Sequence, residues 1–320
     1  MIAAVPMLDL LQPLRTSDTD HAPELADLRR AAKAGDWTAL VAGFDRLPPR
    51  GDHTVAVRVV AGVKGSERFL QRAVDTERDS SLARTLLGAR CVTLGWQART
   101  AAYAADVSRA QWQVFHHHLA RAERLLADAV AIDPGNAAAW TQRIITARAL
   151  RFDPAEARRR YDRAAEHCDV PYHAQAQMIQ NLSAKWGGST QAAHDFAQEC
   201  LKAAAPGTLG GAVVADAHIE HAFTNDQLDR IRDYLYQRKV REELGAAAAR
   251  TVLHPDFEPT HGWVGAHSAF AFALYEGGDL ARAARHFAAL GNQAKPYGWE
   301  MMSRDWKALF RMARGVAGAR

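Results

Sequence analysis

Two imidazoles and two carboxylates fall within the six residues Asp216-Ala217-His218-Ile219-Glu220-His221. On a helix, at about 100° per residue, His218 and His221 stand about 60° apart on one face, close enough to share an ion. Asp216 and Glu220 pair on a different face, so this helix supplies two ligands. A third would have to come from elsewhere, with His254, His261 and His267 as candidates. The competing expectation, favoured here, is structural: imidazoles hydrogen-bonded at a seam between helices, with no metal bound.

Other reactive side chains are less well grouped. His116-His117-His118 point in three directions on a helix and cannot jointly chelate. His167 and Cys168 are neighbours in sequence but lack an orienting third group, and Tyr172-His173 is equally unspecific. Gly187-Gly188-Ser189 precedes a helix without the lysine of a phosphate loop, so it reads as a capped turn. No catalytic set and no cofactor site is therefore expected. Trp37, Trp140 and Trp306 fall where helical periodicity predicts burial, whereas Trp186 and Trp263 each adjoin a glycine in a turn. Those two are either exposed anchors for a partner or wedges between hairpins.

The elements that carry these residues are helices. From Leu119 through Ala122, Leu126 and Ala129 runs an apolar stripe, followed by Asp133-Pro134-Gly135-Asn136 and then Trp140. Pro134 stops a helix and Asn136 can accept from the first free amides of the next, so the spacing predicts a tight joint between two helices. Ser80 and Ser108 are expected caps for helices over about 79–93 and 108–131. Residues 1–21 read as a loose N-terminal arm, 22–205 as a helical-repeat region and 206–211 as a flexible joint. Residues 212–320 read as C-terminal hairpins closed by a capping helix near Ser303. The segment near 47–66 is irregular: Val55, Val57, Val59 and Val60 suggest a short strand, a poor helix or an extended packing segment. A single helix is expected over 226–249.

The offsets of Ala122, Leu126, Ala129, Pro134 and Trp140 resemble the tetratricopeptide repeat, a unit of about 34 residues built as helix-turn-helix. Ala34-Gly35-Asp36-Trp37 with Leu40 and Phe44, and Gly277-Gly278-Asp279-Leu280 with Ala283 and Phe287, are weaker copies. The chain is similar to bacterial proteins of that type. The resemblance implies an all-α, right-handed superhelical stack of degenerate hairpins that acts by binding a protein or peptide partner. Asn136, Trp140 and Arg143 also reproduce once the Asn-x-x-x-Trp-x-x-Arg phrase of protein prenyltransferase α subunits, which are likewise stacked hairpins. A metal-binding protein or enzyme built around His218 and His221 is the alternative from a different class.

Composition narrows the partners. The chain has 320 residues, 40 basic against 36 acidic, for a formal charge of +4. Nucleic-acid binding needs basic residues gathered on one face, whereas the run Arg158-Arg159-Arg160 sits among Asp153, Glu156, Asp162 and Glu166 and is expected to be a solvated face. The hydrophobic fraction of 48%, rich in alanine, suits closely packed helices. Cys91, Cys168 and Cys200 form no Cys-x-x-Cys pair, which fits a reducing cytoplasm better than a disulfide framework. The start Met1-Ile2-Ala3-Ala4-Val5-Pro6 has no basic stretch, and no later run reaches the ~18 apolar residues of a spanning helix, so neither secretion nor membrane insertion is expected.

Overall fold

A computed structural model describes residues 13–100, 106–224 and 227–318. Among them are 17 α-helices and no strand, with about 71% of these residues helical. Contacts divide the chain into two compact units, one of residues Asp18–Asn181 and one that includes residues 13–17 and 182–318.

The first unit holds α1 (Pro23–Ala34), α2 (Trp37–Asp45), α3 (Thr54–Ala61), α4 (Glu67–Thr76), α5 (Ser81–Arg99), α6 (Arg109–Ile132), α7 (Ala137–Ala149), α8 (Pro154–Glu166) and α9, which runs from Tyr172 to the unit boundary at Leu182. Consecutive helices pack as hairpins, most extensively α5 on α6 and α7 on α8. Glycine allows the first of these contacts: a Cβ on Gly88 would lie 2.7 Å from Leu126, and one on Gly95 would lie 2.1 Å from Leu119.

The joint between α6 and α7 is a true helix boundary, as its residues predict. Asp133 closes α6 with extended backbone, and its carboxylate accepts from Gly135 N at 2.9 Å. The Asn136 side chain accepts from Ala139 N at 2.9 Å and donates to Ser81 Oγ and Thr85 Oγ1 on α5. A single residue thus caps its own helix and ties the turn to the neighbouring hairpin. Ser80 and Ser108 cap α5 and α6, the latter in a reciprocal box with Gln111.

The second unit holds α10 (Thr190–Ala203), α11 (Val214–Ala222), α12 (Leu228–Tyr236), α13 (Arg238–Arg250), α14 (Trp263–Glu276), α15 (Leu280–Leu290), α16 (Trp299–Met302) and α17 (Trp306–Gly318). Its aromatic core surrounds the fully buried Trp299, with Phe272, Phe287 and Phe310 around it. Phe310, Ala313 and Ala317 bury the inner face of α17, while Trp306 at its start stays half-buried.

Several expectations are revised. The valine-rich segment is a helix, α3, with Val55, Val57 and Val60 all buried; surroundings on several sides override the weak helix preference of β-branched residues. The region 226–249 is two helices, because Gln237 adopts φ −56° and ψ 132° and breaks the run without any proline or glycine. Residues 206–211, expected to be a flexible joint, lie inside the second unit: Leu209 is buried and Gly207 N donates to Arg250 O at 2.9 Å. Residues 1–12 of the expected arm lie outside the described residues, but 13–21 are held. Arg15 exchanges backbone bonds with Asn292 and Ala294, and Asp18 pairs with Arg58 at 3.0 Å. Finally, Arg158-Arg159-Arg160 is not simply a solvated face. Three consecutive helical residues span about 200°, and Arg160 turns inward to 1% exposure.

Candidate functional site

Helix α11 is buried along almost its whole length, which ordinarily requires an apolar helix, yet it carries Asp216, His218, Glu220 and His221. These ionisable groups form two polar centres on different faces. On one, His218 Nδ1 lies 2.8 Å from the Tyr234 hydroxyl on α12, and that hydroxyl is 3.2 Å from His194 Nε2 on α10. His194 Nε2 in turn is 3.0 Å from His221 Nδ1. The other nitrogen of His218 approaches Glu243 Oε2 on α13 to 3.2 Å, an ion-pair distance without hydrogen-bond alignment. On the opposite face, Lys185 Nζ and the Tyr297 hydroxyl donate to Glu220 at 3.0 and 2.8 Å, while Asp216 has no hydrogen-bond partner among the described residues.

His218 and His221 thus do share a face, but the group that joins them is a histidine and a tyrosine from elsewhere. His254 and His267 have partners of their own: His254 Nδ1 accepts from Asp256 N, and His267 pairs with the buried His286 at 3.0 Å. Among the described residues no group of three or more His, Cys, Asp or Glu side chains is arranged to hold a metal ion. Burial keeps the imidazoles neutral, drawing His218 down to about 3 and His194 to about 4, each also opposed by neighbouring imidazoles. Asp216 moves the other way, pushed up to about 8 by burial and then by the charge of Glu220, so it carries a proton at neutral pH.

These shifts set a pH optimum for the second unit. His194, His218, His221, His267 and His286 all titrate below their ordinary 6.5 in the folded chain. The unfolded chain therefore binds protons at five sites that the folded chain leaves empty, and stability should climb as pH rises from about 4 to 6.5. Asp216 acts with the opposite sign between 3.8 and about 8, since there the folded chain holds the extra proton. Each group contributes up to ~1.4 kcal/mol per pH unit in its window. Urea midpoints should peak near pH 6.5 and decline toward pH 8, and Asp216→Asn should flatten that decline. A midpoint that does not change between pH 4.5 and 6.5 would contradict the buried neutral imidazoles.

The remaining sequence candidates are placed without chemistry of their own. Cys168 is buried and its thiol is pushed up to about 12, so it is no nucleophile beside His167. His173 is tied to Asp52, whose carboxylate accepts from both its backbone N at 3.0 Å and its Nδ1 at 2.8 Å. Trp186 ends a short 3-10 turn and Trp263 opens α14 against His267; both are half-buried rather than fully exposed.

A further site was not legible in the sequence. In the first unit, α3, α5 and α7 surround an open cavity of about 460 Å³, walled by Ala61, Ala89, Val92, Trp96 and Ile145. Two of those walls are alanines, which leaves the space open. Polar groups reach it from Thr93 and Gln97 on α5 and from Gln142 on α7. Gln142 is only 5% exposed and its amide has no hydrogen-bond partner among the described residues, yet its polar atoms are not sealed from solvent. Its amide therefore faces the cavity. An apolar concavity with a few placed polar groups is the usual form of a ligand site. Residues at positions 58–61, 89–100 and 142–145 are too far apart in sequence for any local pattern to have joined them.

The chain matches no protein-family model and no curated protein.

Proposed function

We propose that this chain acts by binding rather than by catalysis, as a tetratricopeptide-like set of helical hairpins that receives part of a protein or peptide partner. The observation that carries this reading is the open, apolar cavity on α3, α5 and α7, with Trp96 in its wall and a buried amide facing into it. Aromatic side chains in concave, largely dry surroundings are where binding energy concentrates. The pairing of consecutive helices supports the repeat-like reading, and three free, buried cysteines support work in a reducing cytoplasm. Among the described residues no helix is long and apolar enough to cross a membrane.

The centre on α11 supports packing: His194, His218, His221 and the Tyr234 hydroxyl are linked by hydrogen bonds, and Glu220 is met by Lys185 and Tyr297. The Asn136-Trp140-Arg143 phrase likewise serves the α6–α7 joint, through the Asn136 cap and an Arg143–Glu123 pair at 2.8 Å.

A photo-crosslinking residue in place of Gln97, at the cavity mouth, tests the proposal in cells of the source organism. Crosslinking to a defined polypeptide is expected, and it should be lost when Thr93→Tyr fills the cavity. Crosslinking that persists with the cavity filled would remove this site from the binding function.

A further inference from the structure

We infer that Gln142 reads the main chain of the bound peptide: the cavity takes one uncharged, apolar side chain of an extended segment, and the Gln142 amide pairs with the backbone N–H and C=O of one residue in that segment. This deepens the function proposed above and rests on it.

Charge comes first. The only ionised side chain lining the cavity among the described residues is Arg58, and it is already paired with Asp18 at 3.0 Å. An occupant bringing its own charge would have to leave water without an opposite charge waiting for it, which is costly in an apolar site. The occupant is therefore neutral where it enters.

Gln142 then fixes what polar group the occupant carries. A carboxamide presents two N–H donors and one acceptor oxygen in a single plane. In a residue only 5% exposed this amide keeps little contact with bulk water, and among the described residues no protein group replaces it. Such a group is matched by a partner offering one donor and one acceptor side by side. In an extended peptide the N–H and C=O of the same residue point to the same side, as in residues that exchange both bonds across a β-ladder. A lone hydroxyl or carboxylate satisfies only part of the amide. Thr93, Trp96 and Gln97, three and four residues apart on α5, share one helical face along the opposite wall. Trp96 gives that wall an aromatic surface for the side chain, and Gln97, exposed at the mouth, gives it a second carboxamide.

Titration of the full chain with blocked tripeptides, acetyl-Ala-X-Ala-amide, tests this by NMR. With X as Leu or Phe, shifts confined to α3, α5 and α7 are expected; with X as Asp or Lys, binding should weaken at least ~10-fold. Methylating the backbone nitrogen of X should weaken the Leu peptide by about tenfold, because one donor to Gln142 is lost. In Gln142→Met, a change that keeps the length of the side chain, the parent and methylated peptides should bind equally and weakly. Circular dichroism melts of each variant establish that it is folded. Equal binding of both peptides to the unaltered chain, or full affinity in Gln142→Met, would overturn the role of Gln142. If Thr93→Tyr still blocks binding in that case, the cavity remains the binding site and only the main-chain reading falls. Binding untouched by Thr93→Tyr removes both, and no binding by any of the four peptides at millimolar concentration overturns the peptide assignment while leaving the crosslinking test of the function to stand by itself.

Discussion

Replacing Glu123 by alanine should destabilise the first unit by about 3 kcal/mol. Glu123 projects from α6 into the angle between α7 and α8, where it gathers three partners. Its Oε1 accepts from Arg143 Nη2 and from Arg160 Nη2, both at 2.8 Å, and its Oε2 accepts from Arg160 Nη1 at 3.0 Å and from the Thr146 hydroxyl. Arg160 is 1% exposed, so removing Glu123 takes both carboxylate oxygens from a buried guanidinium whose Nη1 keeps only the Arg143 carbonyl at 2.6 Å and the Thr146 hydroxyl at 3.3 Å. Glu156 would remain on Arg160 Nε at 2.6 Å, which holds the loss near the lower end of what breaking a buried pair costs. The neighbouring Arg158–Asp162 pair is the natural control. Both of its side chains are about half exposed, so Asp162→Ala should cost under ~0.5 kcal/mol. Urea denaturation of the two variants makes the comparison. Equal midpoints would mean that the Glu123 cluster is no stronger than a solvated pair.

That cluster also shows where the sequence was legible and where it was not. The turn at Asp133 to Asn136 could be read because its causes are local: a proline that stops one helix and an asparagine that caps the next, within four residues. The Arg158-Arg159-Arg160 run has the composition of a solvent face, and what draws Arg160 inward lies far off in sequence: Glu123, 37 residues earlier, with the Arg143 carbonyl and the Thr146 hydroxyl on α7. The break at Gln237 carries no turn residue at all, and the helical state of Thr54–Ala61 is imposed by burial against the preference of its valines.

The candidate sites divide in the same way. That His218 and His221 share a face follows from helical spacing alone. That His194, Tyr234 and Glu243 complete the group follows from packing of four different helices, and nothing in the periodicity of α10, α12 or α13 announces it. The cavity is less legible still, since it is defined by what α3, α5 and α7 leave unfilled. Its one sequence trace is the pair of alanines, Ala61 and Ala89, in a chain where alanine is everywhere.

Trp140→Ala should cost about 3 to 5 kcal/mol, the range for removing a large buried aromatic side chain. The indole is 6% exposed, and its Nε1 donates to Pro134 O at 2.9 Å, so the side chain of α7 closes back on the turn that starts the helix. Arg143 and Arg159 lie over the ring at 5.0 and 5.9 Å, adding cation–π attraction from α7 and α8. Truncation would therefore open a void, free the Pro134 carbonyl and unseat two guanidinium groups at once. Trp140→Phe separates these effects. It keeps most of the apolar volume and a ring face for the arginines but removes the donor to Pro134, a loss of about 1 kcal/mol beyond the smaller packing change. Thermal and urea unfolding of both variants should place phenylalanine well above alanine. An alanine variant as stable as the parent would mean that the turn and the three helices around it hold together without the indole, and that the joint is fixed by the Asn136 cap alone.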